Sequence, residues 1–143
     1  IDEVRSYGNG PLFQGYPDFR IGTVAKPSRP LAWRSRADFV FVQVSYSLDR
    51  LFRWREELQF SGKVYAAVLV LASSRMAKRI NASIPDIRIP QRIIDKLDDD
   101  PAVGLDVACE QIETLRDSGA FDGVHLVPVS RFRQMAERLG ALR

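Results

Sequence analysis

Four β-rich runs alternate with stretches of helical periodicity, and that alternation predicts an α/β fold of parallel strands joined by helical crossovers. The runs are nearly continuous in apolar residues, Phe39-Val40-Phe41-Val42-Gln43-Val44 being the clearest, which suits strands buried on both faces. A (β/α)8 TIM barrel takes about 250 residues and eight strands. Four β/α units in 143 residues therefore make half of one. An open four-stranded sheet would leave two unprotected edges. The sequence has no Gly-x-Gly-x-x-Gly or P-loop pattern to favour a nucleotide-binding doubly wound sheet.

Residues 1–18 are turn-rich, with Gly8-Asn9-Gly10-Pro11 and Gly15-Tyr16-Pro17-Asp18, and read as a loop or linker ahead of a half-barrel at 19–143. The first strand is Phe19 to Ala25, ended by Lys26-Pro27; Pro27 and Pro30 then break the chain before a short basic stretch at 31–37. After the second strand, Ser47 is placed to cap a helix over 48–60, whose Leu48, Leu51, Phe52 and Leu58 share one side, and Gly62 ends it. The third strand is Val64 to Leu71. Ser73-Ser74 precedes a short helix carrying Met76, Ala77 and Ile80; an irregular stretch, 84–90, leads to another with Ile93, Ile94 and Leu97. In Asp98-Asp99-Asp100-Pro101 the expectation is that Asp100 caps and Pro101 takes the first helical position, with three carboxylates at the positive end of the helix dipole. That helix runs to about Ser118, with Leu105, Ala108, Ile112 and Leu115 as its stripe and Gly119 as its terminator. Val124 to Val129 is the fourth strand, and Ser130 is placed to cap a last helix bearing Phe132, Met135, Ala136 and Leu139.

Apolar residues make up 45% and charged residues 27%, the balance of a water-soluble globular chain, and no apolar run approaches a membrane span. The lone Cys109 excludes an internal disulfide framework and points to a reducing, cytoplasmic setting. The net charge of +3 comes from scattered arginines, Arg29, Arg34, Arg36, Arg50, Arg53, Arg55, Arg131 and Arg133. They read as solvated helix faces plus a site for an anionic substrate; the basic, aromatic-interleaved stripe of a nucleic-acid binder is absent.

Four stretches, in order, resemble the C-terminal half of the methylenetetrahydrofolate reductase family. Phe19 to Pro27 is similar to the fifth barrel strand. Phe39 to Glu56 resembles the sixth strand and helix, through Val42-Gln43, Tyr46, Asp49 and Arg53-Trp54-Arg55. Ile87 to Pro101 carries Arg88-Ile89-Pro90 and Leu97-Asp98-Asp99-Asp100, and Gly123 to Arg131 resembles the eighth strand and the loop ending in arginine. The resemblance spans about residues 19–140. It implies reduction of 5,10-methylenetetrahydrofolate to 5-methyltetrahydrofolate by NADH or NADPH, usually through FMN. It also implies that catalytic carboxylates come from the first four strands, so that this segment requires the N-terminal half of the barrel; a homo-oligomer is left open.

Gln43 ends an otherwise apolar strand, where barrel enzymes place their sites, and its amide both donates and accepts. The resemblance makes it a folate contact, sets Arg131 at the active-site mouth, and puts Ala25 and Lys26 at the cofactor. Tyr46 is a further substrate-side candidate, able to stack on a flat ring. His125, mid-strand, reads as structural; Asp98, Asp99 and Asp100 read as helix-start residues rather than a metal site; Cys109 reads as core. Three departures bear on the flavin. Only about a dozen residues, Pro27 to Asp38, bridge the first two strands where the family has a full helix. Lys26 stands where flavin-dependent members often carry tyrosine or asparagine, and Leu71 to Ser74 lacks an aromatic found in some members. Direct hydride transfer without flavin therefore stands beside the FMN route. The rival readings are a non-catalytic barrel that binds a folate or a protein, and a folate-dependent methyltransferase-type barrel.

Overall fold

The computed structural model describes residues 1–4 and 20–141. The predicted loop at 1–18 falls outside the described residues except for its first four, of which 2–4 are helical. The remainder builds four strands, β1 (Gly22–Ala25), β2 (Phe39–Val42), β3 (Lys63–Leu69) and β4 (Gly123–Val127), and five helices, α1 (Leu48–Glu57), α2 (Ser74–Ser83), α3 (Gln91–Asp99), α4 (Val103–Ser118) and α5 (Phe132–Ala141). All pairings are parallel, in the order β1-β2-β3-β4. Sequential order with helical crossovers is the architecture of part of a (β/α)8 barrel.

The two faces of the sheet differ, and the difference is what a barrel wall requires. Val40, Val42, Val64, Ala66 and Val68 point to one face and are fully buried against Leu51 and Trp54 of α1, Leu105, Ala108 and Leu115 of α4, and Met135 of α5. The alternate residues point to the other face and form an aromatic surface: Phe41 meets Phe39, Tyr65 and His125 at ring centroid separations of 5.3, 5.6 and 4.5 Å. A doubly wound sheet would bury both faces under helices. Here α2, α3 and the segment between them instead gather around the C-terminal end of the sheet, where Ala77, Ile87, Ile89, Ile93, Ile94 and Leu97 pack with Val44, Leu69 and Leu71. No helix among the described residues is long and apolar enough to cross a membrane.

Local chemistry explains most boundaries and corrects several expectations. Gly119 ends α4 in the left-handed conformation, φ 62°, as a C-terminal glycine should. Ser73 caps α2 by accepting from the Met76 N–H at 3.2 Å. Ser47 stands at the N-cap of α1, but it makes no side-chain cap bond; its own N–H is instead taken by Ser45 Oγ. That helix ends at Glu57 rather than residue 60, with Leu58 already extended. Asp100 does not open α4 directly. Its backbone closes α3 by donating to Lys96 O, which leaves it extended, and its carboxylate then accepts from Ala102 N–H at 2.8 Å. Pro101 and Ala102 form a turn, and the helix starts at Val103. At the fourth strand, Pro128 has no N–H to continue the ladder, so β4 stops at Val127. Arg131, not Ser130, then supplies the first helical carbonyl of α5, accepting from Met135 N–H.

Candidate functional site

Beyond the last paired residues of β1 and β2, the ladder runs one step further: Gln43 N–H donates to Ala25 O at 2.8 Å. That bond fixes the Gln43 backbone at the C-terminal end of the sheet. Its side chain helps line a pocket of about 360 Å³ with Val24, Ala25, Lys26, Arg29, Pro30 and Arg34. Oε1 of Gln43 is buried and has no hydrogen-bond partner. A buried amide oxygen without a donor is uncommon and calls for a partner. Three cations, Lys26, Arg29 and Arg34, line the same pocket, and exposed Val24 offers an apolar wall. The pocket therefore sets the Gln43 amide beside an electropositive rim, suited to a ligand carrying both a polar ring edge and an anionic group.

Lys26 is held in place from outside the pocket. Its Nζ donates to Asp86 Oδ2 at 2.7 Å, and Arg50 Nη2 donates to Asp86 O at 3.1 Å. The Lys26 hydrogen bond and charge, with Arg29 and Arg50 adding, keep the Asp86 carboxyl below the usual carboxylate range. Asp86 lies between α2 and α3, so this contact ties the segment over β2 and β3 to the end of β1. Buried Ile87 and Ile89 anchor the segment on either side of Arg88, which adopts a positive φ of 50°.

Gln43, Ala25 and Lys26 thus line one pocket. Arg131 and Tyr46 do not join them. Arg131 lies beyond β4, where its Nη2 donates to Ala72 O at 3.3 Å and links the ends of β4 and β3. The turn that aims it closes through Arg131 N–H to Pro128 O and holds Val129 at φ 52°, a costly conformation for a β-branched residue. Tyr46 donates its hydroxyl to Leu69 O at 3.3 Å, and burial pushes its phenol strongly up. It lines a separate hollow with Arg92, Lys96, Glu110 and Gln111, so it is not placed to stack on a ring at Gln43. His125 rests on Phe41 on the aromatic face of the sheet. Cys109 is half-buried beside the core, its thiol pushed up by that burial.

Sequence reasoning missed Arg29 and Arg34 as pocket residues. Their signal was present in the basic stretch between the first two strands, without a pattern to show which arginines turn inward. Arg34 also sits over the Trp33 ring at 4.6 Å, a cation–π contact that braces it.

No curated protein matches the chain in sequence. The profile of one family, methylenetetrahydrofolate reductase, matches residues 34–141, from the crossover before β2 through α5. The match includes Gln43, Tyr46 and Arg131, and begins after Lys26 and Arg29. Since it covers well over half of a chain with the parallel strands and crossovers of a (β/α)8 barrel, the chain belongs to the methylenetetrahydrofolate reductase family.

Proposed function

We propose that this chain forms the C-terminal half of a reductase barrel that delivers hydride from NADH or NADPH, directly or through FMN, to 5,10-methylenetetrahydrofolate, giving 5-methyltetrahydrofolate. The observation that carries the reading is Gln43 at the C-terminal end of β2, which lines a cationic pocket while its Oε1 is buried without a partner. A pterin edge offers the N–H donors that this oxygen lacks, and the glutamyl carboxylates of a folate suit Lys26, Arg29 and Arg34. The same cations fit the phosphates of a nicotinamide or flavin nucleotide, with Ala25 and Lys26 at that end. Arg131, tied to Ala72, is assigned to the mouth of the site, and Tyr46 supports the loop after β2 rather than the ring.

The reduced nicotinamide supplies the hydride; this half of the barrel contributes orientation and electrostatics. Gln43 fixes the ring that receives the hydride, and the cationic rim holds the anionic end of the ligand. The acid and the remaining contacts are assigned to the other half, which would cover the aromatic face of the sheet. Among the described residues that face has helices only at its C-terminal margin, and Val24 on it is 60% exposed.

The test is oxidation of NADH and NADPH by the intact gene product with 5,10-methylenetetrahydrofolate, with the visible spectrum recorded first. Folate-dependent turnover, reduced about 10- to 100-fold in kcat/KM by Gln43→Ala, is the expected result, on the scale of a lost substrate hydrogen bond left unpaired. A flavin band decides between the two hydride routes. No turnover with either reductant, even with added FMN, would leave a folate- or protein-binding barrel, and dependence on a methyl acceptor would point to a methyltransferase.

A further inference from the structure

A second cationic cavity lies on the outer side of the β1–β2 crossover. The crossovers after β2 and β3 lay α-helices on the outer face of the sheet, but residues 26–38 bring only the 3-10 turn Ala32–Arg36. Beside that turn remains a groove of about 740 Å³, with the Pro27–Ala32 segment on one wall and α1 on the other. Trp54 of α1 is buried, and its Nε1–H donates to Arg29 O at 3.4 Å, which holds the two walls together. Arg29, Arg50 and Arg53 line the groove against a single carboxylate, Glu57. Among the described residues neither Arg29 nor Arg53 forms a salt bridge. Arg50 is fixed at one end by its bond to Asp86 O, while its Nε–H is buried with no acceptor.

We propose that this groove binds a phosphate group between Arg50, Arg53 and Arg29. Guanidinium forks match the oxygens of a tetrahedral oxyanion, and Arg50 is already oriented by its bond to the Asp86 carbonyl. The volume falls in the range of small-ligand pockets and exceeds what one phosphate fills, which favours a phosphate ester over the free ion. The site is distinct from the Gln43 pocket, with which it shares only Arg29 and Pro30 of the dividing turn. It does not depend on the reaction assigned to that pocket.

The test is calorimetric titration of the full-length protein with inorganic phosphate and, separately, adenosine 5′-monophosphate at low ionic strength. The expected result is saturable phosphate binding, weakened at least about tenfold by Arg53→Gln. Arg53 is exposed, so that variant is expected to keep the wild-type thermal midpoint, whereas Arg50 bridges to Asp86 and its loss would confound folding with binding. Arg34→Gln, at a cation that lines only the Gln43 pocket, is expected to leave phosphate binding unchanged, which separates this site from the other pocket. Tighter binding of the nucleotide than of phosphate identifies an ester as the ligand; equal binding identifies the free ion. Absence of binding of either probe at millimolar concentration, or binding insensitive to Arg53→Gln, overturns the proposal.

Discussion

At the scale of single residues, the pocket depends on Asp86 as much as on the side chains that line it. Its carboxylate holds Lys26, and its backbone carbonyl holds Arg50, so one residue orients a cation on each side of the Pro27–Leu31 turn. The folded-state pKa of Asp86 is depressed, chiefly by the Lys26 hydrogen bond. A depressed carboxyl contributes stability that is present above its unfolded value, near 3.9, and lost as pH falls through the lower folded value. Asp86→Asn should therefore flatten the fall in thermal midpoint on acidification below about pH 4, measured by scanning calorimetry. It should also raise KM more than it lowers kcat, because Lys26 is freed while Gln43 stays in place. An unchanged acid slope would show that the pair is too solvated to matter. Gln43 itself was legible because a single amide interrupts an apolar strand. Asp86 was not, since its partners lie 60 and 36 residues away and nothing in the local sequence marks them.

At the scale of elements, the two ends of the strands are secured by different means. At the N-terminal ends, an aspartate just before a strand clamps the start of its neighbour. Asp38 N–H donates to Ile21 O while Asp38 Oδ2 accepts from Ile21 N–H, and Asp122 makes the same reciprocal pair with Val64, at 2.9 Å for both bonds. Lys63 adds an ion pair to Asp122 and is the largest cause of its lowered pKa. By the same sign as for Asp86, acid should weaken this clamp only below the ordinary carboxylate range. At the C-terminal ends the fold relies on close packing. A Cβ on Gly104 would lie 1.8 Å from Leu71 O, so α4 crosses the end of β3 in direct backbone contact. Gly104→Ala should destabilise by about 1–3 kcal/mol, the usual cost of overpacking, read as a lower urea midpoint at constant m. It should also disturb the Arg131–Ala72 link, because Ala72 follows Leu71 directly. Gly140→Ala is the control: its Cβ meets nothing within 4 Å, and helix propensity predicts a gain of up to about 1 kcal/mol. Element order could be read from the hydrophobic period alone. The start of α4 could not, because Asp100 serves the end of one helix and the approach to the next, and only the tertiary turn decides how far apart they lie.

For the whole molecule, the informative feature is the asymmetry of the sheet. Continuous apolar strands indicated burial on both faces, yet among the described residues helices cover one face and only the margin of the other. Part of a (β/α)8 barrel would account for both facts, since in a complete barrel further strands close over that face. Phe39, Phe41 and Tyr65 interlock with no helix of the described residues above them, and Val24 stands open at the edge of the same surface. A half-buried aromatic surface bordered by exposed Val24 is suited to being covered. The residues 1–143 expressed alone should therefore bind a hydrophobic dye such as ANS and tend to self-associate, whereas the same residues joined to four preceding β/α units should not. Phe41→Ser should reduce dye binding by the isolated segment, because it removes the ring that links Phe39, Tyr65 and His125. In the completed barrel the same substitution should destabilise by about 3–5 kcal/mol, as loss of a buried aromatic does. Equal dye binding in both contexts would mean that the aromatic face remains open in the longer chain, and the half-barrel account of it would fail.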